Sequence, residues 1–370
     1  KNSPGLDILD DTLIQKINNV LIQNQDVLRQ ASSHIEKAAL AREKLDLSLL
    51  PHQIAESISR IDNHFNQIQH FLDVSIMLPT ALGSSEGGHY YLLLAQNRDE
   101  LRATGGFISG IGWLQIESGK VVAFDIEDSY DIDNFSKQYP TAPFPLQKFM
   151  LADYWLPRDA NWSPDFPTAA RQAQELITLS SGQSSDGVIA FDQEAVRILL
   201  EALGPLDVAS FPEPIGAENV EVMMQQAWSV PPSGEVSRDW WEQRKNFMPQ
   251  LGKIILDKLL HTSDKELLLN LGRELVAAMK AGHILVYFNH EESQQALTNA
   301  EIDNGIRPGE GDYLLAVDSN IGFNKVNAAI QRHITYIVDL SNPQKPMATL
   351  SNQYHHVVTE EAECVHESTY

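Results

Sequence analysis

The chain has 370 residues, 43% hydrophobic and 21% charged, the balance of a globular protein with a real core. Fifty acids against 27 bases give a net charge of −23, a field that repels phosphate backbones and argues against general nucleic-acid binding. The single cysteine, Cys364, excludes an intrachain disulfide and a cysteine-type zinc site, and no apolar run is long enough to span a bilayer.

Length alone predicts two or three domains. Residues 6–76 read as helix. Ile54, Ile58, Ile61, Phe65, Ile68 and Leu72 follow a 4-3-4-3-4 spacing, a seam of the coiled-coil type. Leu13, Ile17, Val20, Val27, Ala31 and Ile35 form the facing stripe, with polar Asn24 in the seam. Pro51 suits the first turn of a new helix, so residues 1–82 are expected to form an antiparallel helical hairpin. Such a hairpin is either a packing element or a stalk that holds the next domain off a membrane.

"GSSEGG" (83–88) reads as a flexible joint. After it, "HYYLLLAQN" is a buried strand, and "TGGFISGIGWLQIESGKVVAFDIED" holds two or three more. Helix follows at 168–181, strand at "DGVIAFD", helix at "QEAVRILLEAL", and a further strand at "GPLDV". Helices are expected near 218–228 and 239–281, then a strand at "HILVYF" and a short helix at "EESQQALTNA". "DYLLAVDSN", "NAAIQRHITYIVDL" and "PMATLSNQYHHVV" read as a β-meander. The fold class predicted is α/β, a mixed central sheet flanked by helices and preceded by the hairpin. The α/β domain is placed at 89–340, and 341–370 is a β segment that continues past the chain.

No nucleophile elbow, Walker loop, dinucleotide fingerprint or H-E-x-x-H occurs. "TGGF" (104–107) is either an anion-binding nest or a tight turn. The acidic run "DIEDSYDIDN" offers Asp125, Glu127, Asp128, Asp131 and Asp133 to Mg²⁺ or Ca²⁺, or is a solvated loop. "RDANWSPDFP" (158–167) places oxygen donors at Asp159, Asn161, Ser163 and Asp165. Pro164 and Ala170 stand where an EF-hand needs Gly and Glu, which leaves only a looser calcium site. His355 and His356 point to opposite faces of a strand and receive no ligand role.

Five stretches in order, "YLLLAQNRDELRATGGFISGIGWLQIESGKV", "RDANWSPDFPTAARQA", "DGVIAFDQEAVRILLEALGPLDV", "HILVYF" and "DYLLAVDSNIGFNKVN", resemble the bacterial domain-of-unknown-function 4012 family from about residue 89 onward. That resemblance implies a membrane anchor before Lys1 and a domain on the outer face of the bacterial membrane. A more distant similarity is to the LytR-CpsA-Psr phosphotransferases, which move glycopolymers from a polyprenyl-pyrophosphate carrier to the cell wall. Arg102 and the "PRD" at 157–159 look like their first two arginine motifs, and residues 238–260 look like their Asp-and-Arg-led helix, with Asp239 and Arg244 as matches. Asn97 stands near an expected Asp, and Glu242 where an Arg is expected.

The resemblance implies a catalytic set of Arg102, Arg158 and Asp159. Asn97, Asn161, Trp162 and Arg244 would contact ligand, and Asp125 and Asp128 would hold Mg²⁺, with Ca²⁺ as the alternative. Arginine forks suit a pyrophosphate, and a carboxylate takes the proton of the attacking hydroxyl. Arg102 and Arg158 are therefore expected at one end of the sheet. In the structural alternative, Arg158 pairs with a buried acid and Asp159 or Asn161 ties the loop. Two functions follow: a glycopolymer phosphotransferase at the cell surface, or a non-catalytic surface protein that uses the fold for assembly or glycan binding. A calcium-dependent adhesion is a third. A surface or cell-wall glycan is the partner in the first two.

Overall fold

The computed structural model describes residues 12–84, 88–209, 211, 213–228, 238–322 and 324–357. Three helices come first: α1 (Leu13–Gln23), α2 (Gln25–Glu43) and α3 (His52–Ala81). The expected first helix is broken at Asn24. Its side-chain amide donates to the Val20 carbonyl at 2.8 Å, so a polar residue in the seam ends one helix and begins the next. α2 and α3 run antiparallel. Arg42 meets Asp62 at 2.8 Å, Ser32 meets Gln69 at 2.8 Å, and Gln25 reaches the Ile76 carbonyl at 3.0 Å.

The seam is half-exposed at Ile54, Ile61 and Ile68 and closes only towards the base. There Met77 and Ala81 join the core of the sheet. The base is also sewn to the β2–β3 turn: Ser118 and Gly119 donate to the Gly83 and Leu82 carbonyls at 2.8 and 2.7 Å. Gly83 has φ 71°, and a Cβ there would lie 2.3 Å from the Ile116 carbonyl oxygen, so only glycine fits. The first residues of the expected joint are thus a tight crossing.

The sheet contains β1 (His89–Asn97), β2 (Phe107–Glu117), β3 (Lys120–Asp128), β4 (Gly187–Phe191) and β5 (Ile284–Phe288), in the order β3-β2-β1-β4-β5. β1 pairs parallel with β4, and the other pairings are antiparallel. A central strand is covered on both faces, which is why "YLLLA" is an unbroken apolar run. Between β3 and β4 lie α4 (Ser129–Ile132), α5 (Phe144–Met150), a 3₁₀ turn (Pro157–Asp159) and α6 (Phe166–Ser181). After β4 come α7 (Gln193–Leu203), α8 (Val220–Trp228), α9 (Arg238–His261) and α10 (Lys265–Ala281); α11 (Glu291–Asn299) follows β5.

One face of the sheet, with Leu92, Leu94, Val188 and Leu285, packs against Phe166, Ala170 and Ile177 of α6. The other face, with Tyr91, Ile116 and Phe288, packs against α3 and α11. A further cluster joins α7, α8 and α9 through Leu200, Met224, Phe247 and Leu251. The architecture is the α/β class that the sequence predicts.

Three expectations change. "GPLDV" forms only a single antiparallel bridge, Leu206 to Ile215, rather than a strand. The helix expected over 239–281 is interrupted by a new N-cap at Asp264. "DYLLAVDSN" belongs to no strand. β6 (Ile330–Asp339) and β7 (Met347–His356) make a separate two-stranded sheet, so the boundary expected at 340 falls in their turn. Asp312 and Asp318 nonetheless hold this segment to the hairpin, through the hydroxyls of Tyr336 and Tyr354 and through Arg332. Cys364 lies outside the described residues.

Candidate functional site

β1 and β4 are parallel, and their carboxyl ends open at the same edge of the sheet. Ligand sites of open α/β sheets form there. The loop after β1 begins at Asn97. Its Oδ1 accepts from Gln193 at 2.7 Å and from the Asp99 amide at 2.9 Å. Asn97 is thus a buried staple between the two strand ends rather than a ligand contact.

Arg102 follows, and it is buried. Nε and Nη2 donate to Oδ1 of Asp159 at 3.3 and 3.2 Å. Nη2 also donates to Glu100 at 3.0 Å. Nη1 donates to the Leu101 carbonyl at 3.1 Å and to the Asn320 carbonyl at 2.6 Å. A guanidinium has five N–H donors, and five bonds are made.

Arg158 sits one residue before Asp159 on the 3₁₀ turn. It pairs with Asp133, which is buried, and its Cζ lies 4.6 Å from the ring centroid of Tyr130. Tyr130 is 6.3 Å from Phe107, and Phe107 is 5.2 Å from Cζ of Arg102. Cation, ring, ring and cation form one ladder, so the two arginines do meet at one end of the sheet. Each reaches a carboxylate there.

Asn161 donates to Thr104 at 2.9 Å and to the Gly106 carbonyl at 2.8 Å. Gln96 accepts from Thr104 at 3.2 Å and from the Gly106 amide at 3.1 Å. The Gly105 amide is bonded to the Arg102 carbonyl at 2.9 Å, so both glycine amides are engaged and the anion nest is absent. Gly106 is required for another reason: a Cβ would meet the Asn97 carbonyl at 2.4 Å. Trp162 joins Leu146, Met150 and Ile321 in a small core under α5. It does not wall a cleft.

The expected metal ligands do not converge. Asp125 pairs with Trp113 and Asp128 with Gly110, so three residues of strand place them on opposite faces of β3. Asp125 accepts from the Ile126 amide at 3.0 Å, and Asp128 caps α4 through the Tyr130 amide at 3.0 Å. The pair does not fit one Mg²⁺ or Ca²⁺ ion. The spaced oxygen donors of "RDANWSPDFP" diverge too: Asp165 caps α6 at Thr168, 3.1 Å, and holds the Ile306 amide at 2.9 Å. Among the described residues, no group of three His, Cys, Asp or Glu is arranged for a metal. The side chain of Arg244, with those of Asp239 and Glu242, lies outside what is described.

Partners that the sequence reading missed are Glu100, Phe107, Tyr130 and the asparagines of "DSNIGFNKVN". Asn320 donates to the Asn324 and Asn327 side chains at 3.1 and 2.8 Å, and its amide donates to the Leu101 carbonyl at 2.9 Å. Asn327 accepts from the Leu101 amide at 3.1 Å. The Asn-x₃-Asn-x₂-Asn spacing was the available signal.

Burial raises the carboxyl of Glu100 above its ordinary range, against the pull of Arg102. Between the ordinary and the raised value the folded state holds more protons than the unfolded chain. Stability therefore falls as pH rises through that window. Glu100→Gln keeps an acceptor for Arg102 but does not titrate. Its melting temperature is expected to gain on the wild type as pH is raised from 5 towards 8, in a thermal-shift series. A constant difference across that series would refute the burial argument.

Above this network lies a cleft of about 780 Å³ between the sheet edge and the β6–β7 hairpin. Arg98, Arg102 and Arg332 line it together with Asp99, Gln193, Gln225, Asn327, Tyr313, Leu315, Ile330 and Tyr354. Arg98 at this edge lies 3.6 Å from Asp192, and Arg332 pairs with Asp318.

Residues 86–228 match the model of a family described as "Protein of unknown function (DUF4012)". The match spans β1 to β4 and ends with α8. No curated protein matches the chain.

Proposed function

We propose, for a chain whose residues 86–228 belong to the DUF4012 family, a non-catalytic protein of the bacterial cell surface that binds a glycan in the cleft above Arg102. One observation carries this reading: all five N–H groups of Arg102 are bonded inside the protein. An arginine that serves a pyrophosphate must keep a fork for it. Arg158 and Arg332 also sit on carboxylates, and Arg98 lies 3.6 Å from Asp192 with its side chain 46% exposed. The arginines that resemble those of a phosphotransferase act as a clamp.

The cleft supports the glycan. Its size falls in the range of small-molecule sites. Carboxamides and a carboxylate in its lining can exchange hydrogen bonds with sugar hydroxyls, and Tyr313 and Tyr354 put aromatic rings in the same lining, a residue type that packs against sugar C–H groups. The outer face of the membrane is the location that the family resemblance supports.

Calorimetric titration tests the reading. A neutral surface oligosaccharide is expected to bind, and Tyr313→Ala is expected to weaken it by about tenfold, the order of one aromatic contact. A polyprenyl-pyrophosphate glycan with Mg²⁺ is expected to show no turnover. Turnover that is lost in Arg158→Ala would replace this reading with the enzyme, and absence of any glycan binding would remove the ligand.

A further inference from the structure

We propose that the surface around α5 docks the domain on a lipid bilayer, independently of what the cleft holds. α5 buries Leu146 and Met150 and turns its other side out. Phe144 is 69% exposed, Phe149 50%, Leu151 83% and Tyr154 56%. Lys148 unites the rings, with Nζ 5.9 Å from the centroid of Phe144 and 4.8 Å from that of Phe149. The bridge from Thr141 to Tyr154 closes the loop at the base of the helix. Single exposed apolar residues are ordinary, but four around one short helix are not.

Leu151 is the telling member. It caps α5 in the left-handed conformation, φ 53° and ψ 33°. Glycine or asparagine takes that position at little cost, and a leucine does not. The chain accepts the strain and points an aliphatic side chain into solvent.

Charge selects the occupant. From Asn134 to Pro157 there are one acid, Asp153, and two lysines, Lys137 and Lys148, in a chain of 50 acids and 27 bases. A second copy would bring −23 against −23. A bilayer takes the aromatic and aliphatic tips into its interface while Lys148 reaches lipid phosphates, as lysine stems do over apolar surface. Among the described residues no helix is long and apolar enough to cross a membrane, and variants of the patch itself show whether vesicle binding runs through it.

The test is co-sedimentation of the 370-residue chain with vesicles of phosphatidylcholine, with and without phosphatidylglycerol. The wild type is expected in the pellet. The triple variant Phe144→Ser, Phe149→Ser, Leu151→Asn is expected to lose binding by about tenfold or more, since the apolar tips supply the attachment. Its melting temperature should hold, because the three side chains are exposed and asparagine tolerates the left-handed cap. Lys148→Glu should weaken binding to the anionic vesicles more than to the neutral ones. A wild type that stays in the supernatant with both vesicles overturns the proposal, as does a triple variant that still pellets. A wild-type dimer abolished by the triple variant would assign the patch to a second copy and overturn it equally.

Discussion

Arg102→Ala lowers the stability of the α/β unit by roughly 3–5 kcal/mol, the cost of removing one partner from a buried ion network. The side chains of Glu100 and Asp159 are 12% and 11% exposed, and both carboxylates would remain with little water to replace the guanidinium. The Asn320 carbonyl would lose its 2.6 Å donor, and with it one of the ties between the loop after β1 and the segment beneath the cleft. For a unit of this size the fall corresponds to roughly 6–20 °C in melting temperature. The charge argument makes a second demand. Adding Glu100→Gln and Asp159→Asn to Arg102→Ala removes both stranded carboxylates and should recover a large part of the loss. If the triple variant melts as low as the single one, cavity formation and not charge sets the cost. If Arg102→Ala melts with the wild type, the clamp reading fails.

The sheet was legible because its strands carry their burial in their residue types. "YLLLA" is apolar at every position and sits in the middle; β3 mixes charged and apolar residues and sits at the edge. The hairpin was legible for the same reason, through its heptads. The strands misread, "GPLDV" and "DYLLAVDSN", have strand-like composition, but the first finds only the bridge to Ile215 and the second joins no ladder, and pairing is a property of the whole chain. Composition did not reveal the break at Asn24, because a polar residue in a seam has two outcomes: it can set register between helices or end one of them. At the site, proximity was foreseeable and occupancy was not. Nothing local to "RDELRATGG" shows that its second arginine, Arg102, will meet a carbonyl oxygen 218 positions away and a carboxylate 57 positions away. The acidic run misled in the same way. Asp133 is the buried partner of Arg158, while Asp125 and Asp128 hold backbone amides on opposite faces of β3.

Arg158→Ala separates the clamp from the enzyme most directly. The Asp133 side chain is 2% exposed, and among the described residues its Oδ1 has no hydrogen-bond donor. Arg158 is thus its ionic support. Without it the carboxylate is buried and unpaired, at a cost of about 3 kcal/mol, the lower end for such a loss because Arg158 itself is 21% exposed. Melting temperature falls in the clamp reading, and adding Asp133→Asn restores much of it, since a neutral amide is far cheaper to bury than an unpaired charge. Glycan affinity in the cleft should stay within about twofold at a temperature where the variant is folded, because Arg158 is not among the residues that line the cleft. The phosphotransferase reading requires the reverse: an unchanged melting temperature and a ten- to hundredfold loss, on the order of one charge-assisted contact, in affinity for a polyprenyl pyrophosphate. Both quantities are measurable on one preparation. Rescue by Asp133→Asn is decisive, because a ligand-binding arginine cannot be replaced by removing the acid behind it, whereas a clamp can be dismissed once its partner carries no charge.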